Sequence, residues 1–127
     1  MPVIYLSPST QDWNMYVTGS GSEEYNMNLL ADALEPYLRA NAIQYQRNRP
    51  EMTAASSIRE ANSGYYDFYL ALHSNAGGPG REGTQRGIDI YYYPSSPDSL
   101  RMAEILVDNL KLVYPLPDRV QALPTTA

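Results

Sequence analysis

Cysteine is absent from the 127 residues, and histidine occurs once, as His73. The first absence excludes disulfides, thiolate nucleophiles and cysteine-held zinc. The second leaves a single imidazole for any acid–base or metal chemistry. Phenylalanine and tryptophan also occur once each, against 12 tyrosines, whose apolar bodies and wet hydroxyls suit half-buried strands and carbohydrate or peptide clefts. No cluster of Lys and Arg interrupts a net charge of −5. Nucleic acid is therefore not an expected partner, because phosphate binding needs a basic footprint. No apolar run approaches membrane-spanning length, and no signal-peptide pattern precedes the first strand.

What is present reads as one α/β domain. With 43% hydrophobic and 18% charged residues the chain can fill a core. Val3-Ile4-Tyr5-Leu6 and Tyr66–Leu72 are apolar without a polar face, the pattern of interior strands covered on both sides. Ile43–Arg47 alternates and suits a strand nearer an edge, and Ile88–Tyr93 reads as a fourth strand. All four are expected in one mainly parallel, twisted sheet flanked by helices. Ser22 caps a helix to Ala40 with a stripe of Met27, Leu30, Ala31, Leu34 and Leu38, kinked by Pro36. Thr53 caps a shorter helix that Gly64 ends. Ser96-Pro97-Asp98 starts a third, with Leu100, Ala103, Leu106, Val107, Leu110 and Val113 facing inward and Pro115 and Pro117 ending it. Asp118 to Ala127 begins one more strand and stops abruptly, so a chain incomplete at its carboxyl end is expected, with apolar groups left exposed on a sheet edge or helix face.

The chemistry collects where strands run into loops. Tyr66–Leu72 leads directly into His73-Ser74-Asn75, and then into a glycine-rich stretch from Gly77 to Gly87 able to admit or cover a ligand. The loop from Asp12 to Gly21 carries Trp13 and Tyr16 and is long for a compact domain. It leads into Glu23 and Glu24 in the first turn of a helix, where acids are commonplace for electrostatic reasons. Loops at the carboxyl ends of parallel strands are where α/β proteins bind ligands. A neutral imidazole and a carboxylate brought together there are both legitimate zinc ligands. Spacing alone does not choose between Glu23 and Glu24.

In order along the chain stand Glu24-Tyr25-Asn26-Met27-Asn28-Leu29, Tyr45-Gln46-Arg47, Ala61-Asn62, Tyr66-Asp67, Leu72-His73-Ser74-Asn75-Ala76 and Arg86-Gly87-Ile88-Asp89-Ile90-Tyr91-Tyr92. This succession resembles the zinc-dependent N-acetylmuramoyl-L-alanine amidases of the amidase 3 family, which cleave bacterial peptidoglycan. The His-Ser-Asn-Ala tetrapeptide after an apolar strand and the Glu-x-x-x-Asn-Leu helix start carry the likeness best. The resemblance implies an amidase-like catalytic domain over residues 1–127, comprising the amino-terminal portion of a whole one. It implies zinc held by Glu24 and His73, and Asn75 among the residues that meet substrate.

The family's first zinc histidine follows its first strand, a place filled here by Ser7-Pro8-Ser9-Thr10-Gln11, so Thr10 stands where an imidazole is expected. The family's general-base glutamate lies on a late strand beyond Ala127, which leaves the catalytic residue unassigned. Zinc is then held weakly unless Asp12, Glu23 or a residue from a missing segment completes its shell, with Thr10 as a further accessory. The function implied is hydrolysis of the amide between the muramic acid lactyl group and L-alanine by a zinc-activated water. The alternative is a non-catalytic amidase-like module that binds cell-wall glycopeptide. Either substrate or ligand implies action at the cell wall.

Overall fold

The run Val3-Ile4-Tyr5-Leu6 belongs to β1 (Val3–Pro8), and successive side chains point to opposite sides of the sheet, both of them covered. The computed structural model describes residues 1–75, 80 and 86–125. The fold is α/β, and the chain divides into two units, Met1–Asn75 and Ala76–Ala127.

In the first unit β1 is the middle strand of a parallel sheet, with β2 (Gln44–Arg47) on one side and β3 (Phe68–Leu72) on the other. Ile4 pairs in register with Tyr45 and with Phe68. The helix α1 (Glu23–Ala40) covers one face. Ala31 and Leu38 pack there on Ile4 and Leu6, with Leu34, Phe68, Leu70 and Leu72 around them. α2 (Ala54–Ser63) serves the other face, where Tyr5 and Ser7 point.

Local signals set the helix ends. Ser22 Oγ accepts the Tyr25 amide, and Thr53 forms a reciprocal capping box with Ser56. α1 continues through Pro36 for one further turn.

The second unit pairs β4 (Ile88–Tyr92) in parallel with β5 (Val120–Pro124) across α3 (Pro97–Val113), which starts at the Ser96 cap with proline in its first turn. Among its described residues Ala103 and Val120 are buried. Gly87 adopts a φ of +117°, and a Cβ there would lie 2.4 Å from the Arg119 carbonyl oxygen, so glycine is required where β4 begins beside β5.

The expectation of one sheet for all four early strands is corrected. Among the described residues β4 hydrogen-bonds to β5 in a two-stranded sheet, and β5 is the further strand expected after Asp118. β3 was expected in the interior and is the end strand of the three-stranded sheet among the described residues. An apolar run reports that both faces of a strand are covered; it carries no information on which edges are paired. The inward stripes are narrower than expected. Leu30, Leu100 and Val113 are exposed, as are Leu29 and Leu112 on the same helices. The glycine-rich stretch from Gly77 to Gly87 lies, apart from Gly80, Arg86 and Gly87, outside the described residues.

Candidate functional site

β1 and β3 run parallel and end together, Pro8 opposite Leu72. The ladder continues one bond further, from the Ser9 amide to the Leu72 carbonyl. Ser9 is thereby fixed beside the residues that leave β3, which are His73 and Ser74. The chain then travels through the Asp12–Gly21 loop and returns at Ser22, where α1 begins. Glu23 is the first residue of that helix, and its otherwise free amide donates to the Asn14 carbonyl of the loop. Gly21 has φ +100° and lies so close to the Tyr25 ring that a Cβ would come within 2.9 Å of it. Glycine there lets the loop turn into the helix start.

Glu23 is the centre of what results. Its side chain is 2% exposed, yet it is a carboxylate. Burial of such a group is tolerated only when its lone pairs are satisfied. Ser9 Oγ donates to Oε2 at 2.5 Å. The Ser74 amide donates to Oε1 at 2.7 Å, and Ser74 Oγ lies 3.3 Å from the same oxygen. His73 Nδ1 approaches Oε2 to 3.9 Å, too far for a hydrogen bond. The imidazole itself is 45% exposed, so it can meet a molecule arriving from solvent. Tyr16 reaches back from the long loop, its hydroxyl 2.6 Å from Ser74 Oγ.

The other residues singled out from sequence stand apart from this pair. Glu24 lines a separate hollow with Asn28, Asp32 and Arg47. Arg47 in turn is bound to Asp32 at 2.6 Å and to Asn28 at 2.7 Å. Thr10 is half-buried and Asp12 exposed in the loop after Ser9, and Asn75 is exposed after Ser74. Among the described residues no hydrogen bond or ion pair joins the side chains of Thr10, Asp12, Glu24 or Asn75 to Glu23 or His73. The carboxylate that meets His73 is thus Glu23, assigned from sequence only an accessory place. Tyr16 was named only as an aromatic of the long loop, and Ser9 only within the segment that follows the first strand. Helical phase carries the missing signal: extending the stripe of Leu38, Leu34, Ala31 and Met27 back by one turn lands on Glu23.

A catalytic zinc takes three protein ligands and keeps one position open. Among the described residues no three His, Cys, Asp or Glu side chains converge to hold a metal. The pair at the strand ends offers two donors, and its carboxylate is already committed to Ser9 and Ser74. This donor set does not fit a catalytic zinc. What it can do is acid–base chemistry at one imidazole with a buried negative charge behind it. No protein-family model matches the chain, and no curated protein matches it.

Proposed function

We propose that this chain is a peptidoglycan-directed domain of the N-acetylmuramoyl-L-alanine amidase type, acting on the amide between the lactyl group of muramic acid and L-alanine. The observation that carries the reading is the meeting of His73 with an acidic helix start at the carboxyl ends of β1 and β3. The order of motifs along the chain supports it independently. In this arrangement Glu23 turns toward Nδ1 and leaves Nε2 as the nitrogen available to a water or a leaving amine. Nε2 is then placed to exchange a proton with that water or amine. Ser74 and Ser9 hold that carboxylate still. Zinc, which the resemblance implies, would need a third donor, and the described residues do not supply one.

That same donor count favours a second reading, recognition of cell-wall glycopeptide without cleavage. Purified sacculi and a soluble muramoyl-L-alanyl peptide separate the two. Hydrolysis predicts new L-alanine amino termini, reduced by about a hundredfold or more in His73→Ala. Co-sedimentation with sacculi without new amino termini establishes the second reading in place of the first. Neither binding nor cleavage overturns both.

A further inference from the structure

We propose that Glu23 is a positioning residue, a hydrogen-bonded clamp that holds the His73 loop in the place where a metal shell would otherwise hold it. The inference takes from the reading above only that His73 faces the substrate. Three elements end at this carboxylate. Ser9 brings the end of β1, Ser74 brings the end of β3, and Glu23 belongs to α1. Each carboxylate oxygen accepts from a different strand end, so the side chain spans the junction between them. The Ser74 bond matters most for His73, because it fixes the backbone amide immediately after the imidazole at 2.7 Å. A backbone amide donating to an ionised carboxylate is a charge-assisted bond, roughly twice as strong as a neutral one.

The clamp also reaches the aromatic loop. Tyr16 bonds to Ser74 Oγ, while Trp13, Met15 and Val17 alternate with the inward-facing Asn14 and Tyr16 and stay exposed. The loop is thus tied to the same serine that Glu23 grips. Glu24, one residue further and about 100° around the helix, has no part in this.

Nuclear magnetic resonance of the ¹⁵N-labelled chain tests the clamp without any substrate, because the chain has one imidazole and its ring signals need no sorting. In the wild type the Ser74 amide proton should be shifted downfield and protected from exchange. Glu23→Gln should move it upfield, lower its protection about tenfold or more, and shift the His73 ring signals. Glu24→Gln should leave all three unchanged. If Glu23→Gln does not fold, Ser9→Ala carries the test, since it keeps the carboxylate but removes a donor from Oε2; the His73 ring should shift while the Ser74 amide stays downfield. Zinc chloride added to the wild type at equimolar ratio should leave the ring signals in place. A larger response to Glu24→Gln than to Glu23→Gln, a Ser9→Ala ring spectrum identical to wild type, or a stoichiometric response to zinc overturns the clamp. These signals are independent of peptidoglycan, so failure of the amidase reading alone does not alter them.

Discussion

Ile4 and Leu6 lie under α1 among apolar side chains, whereas Tyr5 and Ser7, one step along the same strand, serve a face of hydroxyls, an amide and a carboxylate. Both faces are closed to water: Leu6 and Tyr5 are each 0% exposed. The first is closed by area and shape, which are indifferent to proton concentration. The second is closed by partners. Tyr5 donates to Glu60 at 2.8 Å, Glu60 accepts Arg49 at 2.9 Å, and Asn48 donates to Ser7, Ser57 and the Pro8 carbonyl. Tyr5 also stacks on Tyr69, with ring centroids 5.5 Å apart. The polar face therefore specifies register and chain position, since a hydroxyl tolerates fewer neighbours than a methyl group.

The contrast is broken most severely from the apolar side. Leu6→Ala should lower unfolding free energy by about 2–5 kcal/mol, because a fully buried side chain leaves a cavity between β1 and α1. Chemical denaturation checks this, with the midpoint falling and the slope unchanged. Tyr5→Phe keeps the ring and its stacking but removes the donor, and should cost about 1 kcal/mol, as Glu60 retains Arg49.

The smallest effect is the most diagnostic. The hydrogen bond from Tyr5, and then Arg49, hold the Glu60 carboxyl below its ordinary range, while burial and then the bond to Glu60 push the Tyr5 phenol well above its own. A lowered carboxyl contributes stability above its unfolded value near 4.5, lost as pH falls through the folded value. A raised phenol contributes nothing adverse below its unfolded value of 10.0 and removes stability as pH rises beyond it. Thermal melts should thus decline at both ends of the pH range. In Tyr5→Phe the alkaline decline should be reduced and the acid one shallower. The acid term is small because Glu60 is 27% exposed and its pairs are screened. An unchanged alkaline limb in Tyr5→Phe would separate the phenol from this behaviour.

Capping serines, helix phases and the apolar runs made most elements readable, because each is written in residues close together in the chain. Ser22, Thr53 and Ser96 all cap where their chemistry indicates. Strand pairing was less legible. Tyr66–Leu72 and Val3–Leu6 look alike, yet one ends the three-stranded sheet and the other is central, since edges are decided by backbone groups that every residue carries. At the site, His73 and an acidic helix start were visible, but resemblance favoured Glu24 where helical phase favours Glu23. Ser9 was unreadable for a different reason. A serine becomes a clamp donor only once a distant carboxylate arrives opposite it.

The bonds that converge on Glu23 have a kinetic consequence. Ser9 lies 14 residues away in the chain and Ser74 lies 51. The second closure must wait until β3 has found β1, a pairing that spans 64 residues from Ile4 to Phe68. Short-range turns of α1 and α2 can form on far faster timescales than such a search. The grip on Ser74 is then among the last contacts made during folding and among the first released on local opening. Hydrogen exchange at that one amide should therefore be faster than at the β1 amides paired with β3, so a single proton reports the local opening that precedes unfolding of the first unit.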